Sequence, residues 1–291
     1  MDKNIIWYKG KDFIISELGK FEQISIKINS KIVKRCFDFS LEYIKSVHNK
    51  SIRSHGSQYH RPWWELIHNT TEGKLAEIAT IALLNIIHCK ENNIDTNINL
   101  LNFKFVFDEK IQTGKHNLDV NDVLGAEKRV DIKAIKNYAH WLTVNEYKDN
   151  EDLNMRSDIY ILMRVKLLDC VGSTKIYENK PPLFERFDNH IECVFCGWAF
   201  IKDFFFDGEN RFMPYFPYTE NEKLIKSDSA VNIKLELDNN KNYEDYLTKY
   251  IRNKNWRDKN SLNVSLYSMK QFGLPINSLR QNAQDLYKAL I

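Results

Sequence analysis

Asn117-Leu118-Asp119-Val120, a reversal around Gly125, and Arg129-Val130-Asp131-Ile132-Lys133-Ala134 form the stretch on which the reading of this chain turns. Two apolar-rich runs flank the turn-prone Leu124-Gly125-Ala126, which predicts an antiparallel β pairing. With the reversal centred on Gly125, Asp119 lies directly across from Asp131. Side chains alternate faces along a strand, so Asp131 and Lys133 share a face that also receives Asp119. Asp122 has the opposite parity and is expected to look away.

Like charges directly opposite each other destabilise a sheet by about 0.2–1 kcal/mol. A chain that keeps such a pair is therefore expected to hold a cation with it. Two carboxylates plus waters suit Mg²⁺, which takes few protein ligands and retains part of its water shell. A divalent ion there lowers the pKa of a water and stabilises charge on a phosphate oxygen, while Lys133 orients or helps deprotonate the nucleophile. This is a minimal set of groups for metal-assisted phosphodiester hydrolysis. The plain alternative is a surface hairpin whose Asp and Lys side chains are merely solvated.

The chain has 291 residues, enough for a full core, and 43% hydrophobic with 28% charged residues predicts a folded globular protein. A net charge of +3 permits a nucleic-acid partner without arguing for one, because clustering matters more than the total. The five cysteines, Cys36, Cys89, Cys170, Cys193 and Cys196, are scattered and no signal peptide precedes them, which predicts reduced thiols in the cytoplasm. Cys193 and Cys196 fall in the apolar run 191–199, where a strand points them to opposite faces, so buried thiols are expected rather than zinc. No apolar run approaches the ~20 residues that span a bilayer, and no membrane partner is expected. Without repeats or linkers, the expectation is one domain over 1–291, with a catalytic core at about 69–200 and an elaborated C-terminal part at about 201–291 that contacts DNA or a second copy.

Outward from the hairpin, Ile32, Val33, Cys36, Phe37, Leu41, Ile44 and Val47 recur at spacings of 3 and 4, predicting an amphipathic helix over 31–48. A polar, partly basic loop over 51–60 ends in Arg61-Pro62-Trp63-Trp64. A second helix is predicted with Asn69 as N-cap and Glu72 at its third position, continuing through Ile87. Its apolar residues cover nearly every direction, so it is buried, and Glu77 beside Ile81 and Leu84 is either paired or functional. Strands are predicted at 103–107, 141–144, 158–165 and 191–199, giving an α/β or α+β sandwich around a mixed sheet. Leu279, Ala283, Leu286 and Leu290 stripe a terminal helix over 278–290, read as docked on the core, with a dimer contact as the lesser reading. Residues 249–259 interleave five basic side chains with Tyr250 and Trp256, which suits either phosphate contact or a solvated face.

The order Glu77 in a helix, Asp119 closing one strand, Asp131-Ile132-Lys133 in the next and Asp158-Ile159-Tyr160-Ile161-Leu162 after them resembles the PD-(D/E)xK superfamily of restriction-endonuclease-like nucleases. Its wording is similar to bacterial type II restriction enzymes, where a helix reading Gly-Lys-x-Ala-Glu precedes the catalytic hairpin. Here that is Gly73-Lys74-Leu75-Ala76-Glu77. The resemblance covers roughly 69–165, about a third of the chain, and departs at Leu118, where the eponymous proline would stand. It implies a restriction-endonuclease-like core with a central mixed β-sheet flanked by helices. It further implies Mg²⁺-dependent cleavage of specific double-stranded DNA to 5′-phosphate ends, usually by a homodimer. By carry-over, Asp119 and Asp131 bind the metal with the main-chain carbonyl of Ile132, Lys133 acts on the attacking water, and Glu77, or Glu72 in its place, is the third acidic ligand. Candidate DNA contacts are Arg53, His60, Arg61, Lys136, Arg252, Lys254 and Arg257. Two other expectations stay open: a phage, repair or defence nuclease of the same fold, and a non-catalytic DNA-binding module.

Overall fold

The computed structural model describes residues 5–18, 23–48, 63–107, 121–135, 141–145, 157–167, 190–206, 209–212 and 271–291. The chain begins with three strands, β1 (Ile5–Lys9), β2 (Phe13–Leu18) and β3 (Gln23–Ile28), joined as an antiparallel meander. Their β-branched residues explain the choice: Ile15, Ile24, Ile26 and Ile28 are buried, and Gln23 and Lys27 between them are exposed. The meander continues the central sheet through β7 (Ile191–Phe200) and β6 (Ile159–Lys166) to β4 (Val130–Ile135). All neighbours in this six-stranded sheet are antiparallel except β6 and β4, so the expected mixed sheet is present. Half of its strands precede residue 69.

β6 is buried on both faces, as its unbroken apolar run requires. Ile159, Ile161, Met163 and Val165 join the main core, while Tyr160 and Leu162 join a second core on the opposite face. Helix α2 (Trp63–Glu91) lies on the first face, with α1 (Ser30–His48) and α3 (Ala283–Leu290) packed against it. The second face is covered by a two-stranded sheet of β5 (Trp141–Asn145) and β10 (Gln271–Pro275), with Phe204 of the 3₁₀ turn Ile201–Phe204. A short hairpin of β8 (Phe205–Phe206) and β9 (Glu209–Phe212) follows. Cys193 and Cys196 are buried thiols in the two different cores, hence on opposite faces.

Three predicted elements need correcting. Asn69 does not cap a helix, because α2 begins at Trp63 and passes straight through it. The polar residues there are accommodated by bonding back along the helix: Thr70 Oγ1 donates to Leu66 O and Thr71 Oγ1 to Ile67 O, both at 2.8 Å. Residues 103–107 are not a strand. Asn85 of α2 takes over the backbone groups a ladder would use, accepting from Phe105 N–H and donating to Phe105 O and Leu100 O at 2.8–2.9 Å. The terminal helix starts at Ala283 rather than 278, where Asn282 Oδ1 accepts from the N–H groups of Gln284 and Asp285. Its apolar stripe is buried within the chain, and Tyr287 Oη lies 2.7 Å from His88 Nδ1 of α2. Among the described residues no helix is long and apolar enough to cross a membrane.

Candidate active site

β4 ends the sheet among the described residues, so one side of its backbone needs partners other than β6. Those partners come from residues 121–122. Asn121 Oδ1 accepts from Val130 N–H at 3.1 Å, Asp122 N–H donates to Val130 O at 2.8 Å, and Asp122 Oδ2 accepts from Ile132 N–H at 2.6 Å. The carboxylate of Asp122 therefore stands where a ladder carbonyl would stand. This overturns the expectation that Asp122 looks away. The bond between residues 122 and 130 centres the reversal on Ala126, one residue later than Gly125, which leaves the parity of the pairing as expected. Asp122 enters because its side chain turns onto the backbone edge of β4 instead of standing off a face of the sheet.

Val130 and Ile132 face the α2 side of the sheet, so Asp131 and Lys133 project from the other side and pair there, Lys133 Nζ lying 2.8 Å from Asp131 Oδ1. Asp131 is buried, its side chain 6% exposed, whereas that of Lys133 is 32% exposed. Glu77 approaches from α2, which packs on β4. It is held by Lys74 Nζ at 2.6 Å, and that ammonium lies 5.1 Å from the ring centre of Phe39 and 5.7 Å from that of Phe107. Glu72 is turned elsewhere, buried with its carboxylate 3.6 Å from His68 Nδ1 one turn earlier.

Electrostatics tie these groups together. Asp122 has its pKa raised well above 3.8, first by burial and then by the negative charges of Glu77 and Asp131, against the opposing pull of Ile132 N–H and Lys133. From the sheet edge it feels carboxylates on both sides, and Glu72 is not among them. Three carboxylates that cannot all be charged at no cost are, in kind, the oxygen donors a hard divalent cation takes, and they would have to draw closer to share one. Ile132 adds to the fit: its N–H points to the Asp122 edge, and in a strand the carbonyl of the same residue points the same way.

The loop that carries Asp122 is braced from three directions. Val106 N–H donates to Leu124 O at 3.0 Å, and Gly125 has φ +90° with Lys104 O so close that a Cβ would collide with it. Asn85, by fixing Leu100 and Phe105, holds the segment that makes these contacts. The C-terminus of α3 supplies two carbonyls, Leu290 O accepting from Glu127 N–H at 2.9 Å and Ala289 O from Lys128 Nζ at 2.7 Å. Asp158 fixes the base of β4, accepting from Arg129 N–H at 2.9 Å.

Of the residues proposed from sequence, Asp131, Ile132 and Lys133 stand together on β4, and Glu77 and Asp131 both act on Asp122. Asp119 lies outside the described residues, as do Arg53, His60, Arg61, Lys136, Arg252, Lys254 and Arg257. Sequence reasoning missed Asp122 and gave Lys74 no role, although both stand within the segments it quoted. The signal for Asp122 was Asn121-Asp122 beside the strand edge, a side-chain pair suited to capping exposed N–H groups. Among the described residues no three acidic, His or Cys side chains are already gathered as a metal-binding group. Comparison with family models, with curated proteins and with solved structures gives no match.

Proposed function

We propose that the chain is a divalent-metal-dependent endodeoxyribonuclease of the restriction type, acting on double-stranded DNA, with Asp122, Asp131, Glu77 and Lys133 as its working groups. The observation that carries this is the Asp122 carboxylate pinned on Ile132 N–H, within the field of Glu77, Asp131 and Lys133. Asp119 keeps its place as a further acidic candidate. Mg²⁺ would be held by the three carboxylates and the carbonyl of Ile132, where it would neutralise charge on the phosphate and acidify a water. Asp131 orients Lys133, whose half-exposed ammonium can hydrogen-bond an incoming water or a phosphate oxygen. Attack of water on phosphorus with loss of the 3′ oxygen leaves 5′-phosphate and 3′-hydroxyl ends. The expected assembly is a homodimer cutting both strands.

Purified protein is expected to cut plasmid DNA with Mg²⁺ and not with EDTA. Lys133→Ala should lower the rate by about 10²–10⁴-fold while duplex binding persists. Full activity in Lys133→Ala or in Asp131→Ala ends the proposal. One observation favours a second reading, a non-catalytic DNA-binding module: Glu77 and Asp131 each already carry a lysine partner. That reading predicts binding without cleavage under every divalent metal.

A further inference from the structure

A second site with different chemistry lies at the far end of the sheet. A cavity of about 650 Å³ opens between the β1–β2 turn, the first turns of α1 and residues 95–101. β2 stands four strand positions from β4, which puts the cavity roughly 20 Å from the carboxylates at ordinary strand spacing. Its walls carry Lys9, Lys11, Lys31 and Arg35 against two carboxylates, Asp12 and Asp95. Both carboxylates are engaged in local structure: Asp12 Oδ1 accepts from Asn29 Nδ2 at 2.7 Å, and Asp95 Oδ1 accepts from Asn97 N–H at 3.0 Å. Among the described residues Lys9, Lys11 and Lys31 make no ion pair. The first turn of α1, which opens on the same space, contains no acidic residue.

Lys9, Lys11 and Lys31 against Asp12 and Asp95 leave an excess of positive charge, which calls for a phosphate ester: a diester carries one negative charge and a monoester about −1.5 to −2 at neutral pH. The volume far exceeds what a phosphate group alone needs and falls in the range of small-molecule sites, about 300–1,000 Å³. Tyr8, whose ring lies over Gly10, offers an aromatic surface, and Asn97 offers a side-chain amide. We propose that this cavity binds a nucleotide-sized phosphate ester, presented either by a free nucleotide or by the backbone of a DNA duplex. The site stands independently of the nuclease reading, because it uses none of the same residues.

The test uses the full chain in EDTA, where cleavage plays no part, with calorimetry for ADP and for adenosine, and fluorescence anisotropy for a short DNA duplex. Lys9→Ala combined with Lys31→Ala removes two exposed cations, and an unchanged melting midpoint checks that the fold survives. For a free nucleotide, ADP binds saturably, adenosine does not, and the double variant weakens ADP by tenfold or more while Asp131→Asn leaves it unchanged. For a duplex, ADP is silent, but the double variant weakens duplex binding and lowers the salt-dependence slope by about two. If neither ADP nor duplex binding depends on Lys9 and Lys31, or if adenosine binds as well as ADP, the proposal is overturned. Loss of cleavage with lysine-dependent ADP binding retained would instead count against the nuclease reading alone.

Discussion

Asp122→Asn separates the two demands on the carboxylate cluster, because it should stabilise the metal-free protein and abolish the response to Mg²⁺. Asn keeps the oxygen that accepts from Ile132 N–H, so the loop stays pinned to β4, and it removes a charge that Glu77 and Asp131 repel. The folded protein holds the Asp122 proton more tightly than the unfolded chain does, whose value is near 3.8. Its share of stability is therefore full below that value and drains away as the pH rises through the raised folded value. At mildly alkaline pH in EDTA the Asn variant should be more stable than the parent by about 1 kcal/mol. That corresponds to roughly 2–4 °C in melting temperature for a chain of this size. The gap should close as the pH falls toward the ordinary aspartate range, where parent and variant both carry a neutral group. With Mg²⁺ at a hundred times its dissociation constant the parent should gain about 2.7 kcal/mol, and the variant far less. Differential scanning fluorimetry across pH, with EDTA or Mg²⁺, reads all of these together. A variant that melts below the parent in EDTA at alkaline pH, or an equal Mg²⁺ shift in both proteins, refutes the argument.

Other parts of the scaffold give sharper tests of stability. Gly125→Ala meets both a positive φ and the Lys104 carbonyl, so it should cost about 1–3 kcal/mol in urea denaturation and depress cleavage with it. An unchanged midpoint would show that the loop relaxes. Asn85→Leu leaves Phe105 N–H and Leu100 O without the Asn85 amide and Phe105 O with Phe103 N–H alone, and should cost about 2 kcal/mol or more, whereas a neutral result would mean that other groups replace it. Glu192 is pushed up by burial but held lower overall by Lys166, Ser25 and the nearby Lys27. Its stabilising share is present above its ordinary value of 4.5 and is lost as the pH falls through the depressed folded value, so Glu192→Gln should flatten the acid limb of the melting curve between about pH 6 and 3.

What could be read from sequence was whatever a single periodicity determines. The apolar spacings of α1, the two-sided burial of α2, and the runs that became β6 and β7 each depend on contacts with a large core; α1, β6 and β7 were found within a residue or so, and α2 was found in its buried length but not in its start at Trp63. β1 to β3 carry a weaker signal: β3 alternates, but β1 and β2 each run apolar residues together over a span too short to tell strand from buried helix. The false strand at 103–107 had the correct pattern, but Asn85, twenty residues earlier and on a helix, claims its backbone groups. No local rule reports a competition of that kind.

The choice of Asp119 over Asp122 rested on parity, and parity says nothing of a side chain that folds back onto the strand edge. Parity assumes that two strands face each other through a continuous ladder, yet residues 121–130 form a compact reversal in which side chains supply what backbone would supply elsewhere. In such a turn the informative quantity is which side chain can reach the unpaired N–H groups of the edge strand. Asn121 and Asp122 are short, carry acceptor oxygens and lie immediately beside Val130 and Ile132, so they satisfy the edge and in doing so commit a carboxylate to it. The same bond that completes the sheet therefore brings Asp122 into the field of Glu77 on one side and Asp131 with Lys133 on the other. Folding and chemistry can be pulled apart there by exchanging one oxygen for a nitrogen.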